Sequence, residues 1–163
     1  MGAAVRLGTL SELQPNIDAY RQAYKDAGHA GEGEVFLRVP VYVGDSQDEA
    51  QTVPEESIMS FYRMLGRQLE ASAGQAGTRA IEDRAGRGQR LQSINWDEVL
   101  RDKVIVGTAP RVAERLRGLQ SELGLNGILA ELNCGGLIER ERVLRSLQLL
   151  CEQVMPSVRS IHE

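Results

Sequence analysis

Large apolar runs, clustered cysteines and basic stretches are all missing from this 163-residue chain, and each absence removes a class of function. No apolar stretch approaches the roughly 18 residues that a membrane span needs. Met1 to Arg6 has no apolar core of the kind a signal peptide requires. Arg6 stands where an N-myristoylation motif needs Ser or Thr, so Met1-Gly2 does not read as a lipidation signal. The net charge is −4 and no basic cluster is present, which argues against a nucleic-acid partner. Cys134 and Cys151 form no CxxC pair and no disulfide framework, so the chain reads as reduced and cytoplasmic. His29 and His162 are its two histidines, and neither has companions at metal-ligand spacing; no metal is expected. Aromatics make up only 4%, so the core must rest on Leu, Val, Ile and Ala.

What is present is a regular alternation of short apolar runs and helical periodicities. That pattern predicts an α/β fold with a parallel sheet. Val5 to Leu7 reads as the tail of a strand. Ser11 and Gln14 open a helix whose inner face carries Leu13, Ile17, Tyr20 and Tyr24, and Gly28 ends it. Residues 34–43 read as a strand buried on both faces, with Pro40 requiring a bulge or an early end. Ser46 and Glu49 form a capping box. After Pro54 a helix carries Ile58, Phe61, Tyr62, Leu65 and Leu69 on one stripe.

From 72 to 92 the composition changes. Gly74, Gly77, Gly86 and Gly88 alternate with Arg79, Arg84, Arg87 and Arg90, which predicts a mobile, loop-rich excursion. Asn95 to Glu98 caps a short helix, and Val104 to Val106 is a brief extended run. Thr108 and Pro110 begin a helix with Val112, Leu116, Leu119 and Leu123 inside, ended by Gly124. Gly127 to Leu132 is a second clear strand, Asn133 to Gly136 the turn after it. Val143, Leu147, Leu150 and Val154 mark the last helix, stopped by Pro156.

Several stretches in this order resemble luciferase-like, flavin-dependent monooxygenases. They are Arg38-Val39-Pro40-Val41-Tyr42-Val43 with Asp48-Glu49-Ala50, and Val106-Gly107-Thr108 with Val112-Ala113-Glu114-Arg115-Leu116. The most specific is Gly127-Ile128-Leu129-Ala130-Glu131-Leu132-Asn133-Cys134-Gly135-Gly136, continuing through Glu141-Arg142-Val143-Leu144-Arg145-Ser146-Leu147. The resemblance implies a (β/α)₈ TIM barrel that binds reduced FMN, or a deazaflavin, and oxidises a small organic substrate with dioxygen. It places residues 1–163 in the C-terminal part of such a domain, as the last three or so strand-helix units. A whole barrel takes on the order of 250 residues, so this chain is expected to be incomplete alone and to need the missing barrel half. The alternative is a non-catalytic half-barrel module that self-associates through open sheet edges.

Barrel chemistry sits where strands end. The candidate cofactor- or substrate-binding residues are therefore Gly8, Thr9, Tyr42, Asn133, Cys134, Gly135 and Gly136. Asn133 offers both a donor and an acceptor to a flavin edge or substrate, and Gly135 and Gly136 let backbone come close. Cys134 has no histidine near it in sequence and reads more simply as a small buried residue. Gly135-Gly136 makes a poor phosphate cradle, because Glu139 and Glu141 follow in or near the first helical turn. No residue is a catalytic candidate, since the flavin itself carries the redox step.

Overall fold

The structure is a computed structural model that describes residues 2–4, 10–74 and 78–159. Four strands form one sheet: β1 (Gly2–Ala4), β2 (Phe36–Val43), β3 (Ile105–Gly107) and β4 (Gly127–Glu131). Every pairing is parallel. β2 is central, with β1 and β4 both aligned on Phe36 to Arg38, one on each side, and β3 aligned on Val41 to Val43. The two long strands, β2 and β4, are therefore direct parallel neighbours, in keeping with the expected parallel sheet. Val5 to Leu7, expected as a strand tail, lies outside the described residues, as do Gly8 and Thr9.

Pro40 neither bulges nor ends β2, contrary to expectation. Val35 exchanges bonds with Asn126 on the β4 side, while Gly44 donates to the Gly107 carbonyl on the β3 side. Alternation along the strand then turns the missing N–H of Pro40 to the β1/β3 side. There it falls between the end of the β1 pairing at Arg38 and the start of the β3 pairing at Val41. No ladder bond is lost, so a central strand tolerates the proline.

The same alternation divides the two faces of β2. Val35, Leu37, Val39, Val41 and Val43 are buried against helices α1 (Gln14–Asp26) and α6 (Ala109–Leu123). Leu149, Leu150 and Val154 of the C-terminal helical run complete this core. The opposite face is not uniformly buried, which corrects the expectation of a strand enclosed on both sides. Its upper part is covered and its lower part is open, with Arg38 exposed and Leu129 of β4 54% exposed. Arg38 pairs there with Glu131 at 2.7 Å.

Between β2 and β3 the chain forms α2 (Gln47–Thr52), α3 (Glu55–Ala73), α4 (Thr78–Ser93) and α5 (Trp96–Asp102). The stretch expected as a loop from 72 to 92 is helical over most of its length. Its glycines explain the difference. A Cβ on Gly66 would stand 2.7 Å from the Gly88 carbonyl oxygen, and one on Gly88 would stand 2.8 Å from that of Gly66. Absent side chains let α3 and α4 cross backbone to backbone. Ile58, Met59 and Tyr62 then pack with Leu91, Val99, Val104 and Cys134 in a second core.

Two of the caps behave as read, whereas α1 starts after Leu13 rather than at Ser11, and Thr108 begins α6 without a side-chain cap bond. Ser46 Oγ accepts from Glu49 N, and Asn95 and Glu98 form a full reciprocal box. Gly124 closes α6 in the left-handed conformation, with φ 61°. Pro156 does not stop the last helix. α7 (Arg140–Leu149) runs through a π-helical turn (Leu150–Val154) into α8 (Met155–Arg159). Pro156 comes just after that π-helical turn, a break in the α-helical register of the kind that accommodates a proline within a helix. Ser146, rather than Leu147, faces inward: its Oγ accepts from Val43 N at 2.8 Å, while Leu147 is exposed.

Candidate functional site at the strand ends

The C-terminal ends of β2, β3 and β4 lie together, as the parallel registers require. At the mouth they form, Tyr42 and Cys134 are buried, while Asn133, Gly135 and Gly136 are exposed. Tyr42 is 2% exposed and packs with Ala50 of α2 and Ile138 of the turn after β4. Gly44 lets α2 settle on the strand end, since a Cβ there would lie 2.8 Å from the Ala50 nitrogen. Burial pushes the Tyr42 phenol above its ordinary pKa, and the negative charge of Glu49 adds to this, while Arg142 opposes it.

The turn from Asn133 to Ile138 is held from within. The Asn133 side chain donates to the Ile138 carbonyl and accepts from the Ile138 N–H, both at 3.1 Å. Its amide is thus engaged within its own turn on both sides. Ser57 of α3 binds the turn from the other side. Its Oγ donates to the Cys134 carbonyl at 2.7 Å and accepts from Leu137 N at 3.0 Å. Gly135 has φ 96° and presses against the Ser57 backbone, so no side chain fits there; Gly136, φ 79°, faces open space. Cys134 is buried in the second core. The structure thus brings Tyr42 and Asn133 to Gly136 to one mouth, with an exposed turn seated like a plug over the buried Tyr42 and Cys134.

An ion-pair group rims this plug. Arg145 grips Asp45 through two bonds of 2.6 and 3.0 Å, and Arg142 lies 3.7 Å from both Glu49 and Glu139. The Arg145 hydrogen bond holds the Asp45 carboxyl below its usual range. Among the described residues no group of three or more His, Cys, Asp or Glu is placed to hold a metal, and no helix is long and apolar enough to cross a membrane.

Open space lies beside β3 instead. A cavity of about 600 Å³ is lined by Gln47 and Gln51 of α2, Leu100 of α5, Val104 to Val106, and Arg111, Val112 and Arg115 of α6. None of these polar residues was a candidate from sequence. Their only signal was the spacing of Gln47/Gln51 and Arg111/Arg115, four residues apart on helices that follow strands, which any solvated helix face also shows.

Comparison with known proteins now places this architecture. The luciferase-like monooxygenase family matches residues 2–126, more than half of the chain, and the chain belongs to that family. The match ends before the Gly127 to Gly136 stretch that carried the most specific part of the sequence resemblance. No curated protein matches the chain in sequence.

Solved structures resemble nearly all of it. The oxygenating constituent of 3,6-diketocamphane monooxygenase from Pseudomonas putida, a type II Baeyer-Villiger enzyme in complex with FMN, superposes with a TM-score of 0.64 at 16% identity. The comparison covers 96% of this chain and 42% of that one. A monooxygenase from Streptomyces bottropensis gives 0.57 at 19% identity, covering 95% and 40%. The coenzyme F420 dependent tetrahydromethanopterin reductase of Methanopyrus kandleri gives 0.57 at 14%, covering 95% and 44%. These likenesses establish the fold: a parallel α/β arrangement corresponding to part of a TIM barrel. The chain spans about two fifths of the length of these relatives.

Proposed function

We propose that this chain is the C-terminal part of a flavin- or deazaflavin-dependent oxidoreductase, and that it acts on a small organic substrate only with the remaining barrel strands. The observation that carries this reading is the open lower face of the sheet. In a closed barrel that face is filled by layers of side chains from alternate strands. Here Arg38 and Leu129 stand on it exposed, in a chain two fifths the length of its structural relatives.

The strand-end residues have a supporting role in this reading. Asn133, Gly135 and Ser57 fix the shape of the turn, and Tyr42 fills the space beneath it. Gly8 and Thr9, which lie outside the described residues, are proposed as further contacts to the cofactor or substrate. The redox step belongs to the cofactor, and the protein supplies position and electrostatics.

Titration with FMN, followed by flavin fluorescence, tests the proposal. The 163-residue chain alone is expected to bind weakly or not at all. Several phosphate contacts are expected to come from the other strands, each charge-assisted hydrogen bond contributing roughly 1.5–3 kcal/mol. Submicromolar affinity of the isolated chain would show that it needs no further strands. Mixing it with a complementary N-terminal barrel segment should restore flavin binding; failure of a properly assembled, folded complex to bind either FMN or a deazaflavin would remove the cofactor assignment.

A further inference from the structure

We draw no further inference here: the strongest candidate, the exposed apolar flank of α7 that carries Leu144 and Leu147, is an unpartnered helix face, and nothing in the structure shows what covers it.

Discussion

Gly135 and Gly136 are adjacent and both have positive φ, yet alanine should affect them very differently. At Gly136 an added methyl meets nothing within 4 Å, so the cost is the backbone strain alone, about 1 kcal/mol. At Gly135 the same strain is joined by collision with the Ser57 backbone, and the loss should exceed about 3 kcal/mol. Urea unfolding of the two variants distinguishes them; equal losses would mean that the turn is not seated on α3. Ser57→Ala removes the partner of both the Cys134 carbonyl and the Leu137 N–H, and should cost about 1–3 kcal/mol.

Tyr42 supplies a pH test at the same scale. Its folded pKa is raised, so the stability contributed by its neutral phenol is complete below the ordinary value near 10 and is lost as pH climbs through the folded value. Ultraviolet titration should show a late-ionising tyrosine component, and Tyr42→Phe should reduce its amplitude by one tyrosine. Asp45 has the opposite sign. Its pKa is lowered by Arg145, so its contribution is present above about 3.9 and fades as pH falls through the folded value. In Arg145→Gln the Asp45 carboxyl resonance should titrate at higher pH; an unchanged midpoint would mean that the ion pair does not persist in solution.

At the scale of elements, the α3–α4 crossing is the decisive contact between helices. Gly66→Ala or Gly88→Ala must push two backbones apart and should cost about 1–3 kcal/mol. Gly86 lies in the same helix facing open space, so Gly86→Ala should instead stabilise by about 0.5–1 kcal/mol, through helix propensity alone. Thermal melts of the three variants should move in opposite directions, and a uniform shift would refute the crossing. These glycines also show why the excursion was misread. In sequence, Gly86 and Gly88 carry the same signal, that of a flexible loop. Only the partner helix distinguishes the one that permits contact from the one that merely weakens a helix. The long periodic segments were legible for the converse reason: the stripe of Val112, Leu116, Leu119 and Leu123 repeats at a spacing that fits one structure only.

For the whole molecule, the question is how much of its core closes. Val39 and Val41, on the helix-facing side of β2, are almost completely buried, so that layer needs no further strand. The lower opposite face is different, with Arg38 and Leu129 in water and β4 pairing with β2 alone among the described strands. Burial of apolar surface contributes roughly 25 cal/mol per Å², so a few hundred Å² left wet forfeits several kcal/mol of a stability that totals about 5–15. Light scattering over a dilution series should therefore show association or loose aggregates at high concentration. A monodisperse monomer with a concentration-independent melt would mean that the α3–α5 helices already cover enough of the face. Leu129→Lys should leave the melting temperature of the dilute chain nearly unchanged, because the side chain is already exposed, and should reduce any association.

The sequence by itself determined the local grammar of this protein: helix starts at Ser46 and Asn95, the stop at Gly124, the two long strands, and the family to which their order belongs. Those features depend on neighbours within a few residues, where one side chain meets one backbone group. The tertiary structure alone decided the roles of residues whose partners are distant in the chain. Pro40 is harmless because two strands meet end to end beside it. Asn133 and Gly135 serve a plug because Ile138 and Ser57 reach them. Gln47 and Arg111 share a cavity because α2 and α6 follow adjacent parallel strands, and a period of 3.6 residues carries no information about which helix will lie alongside.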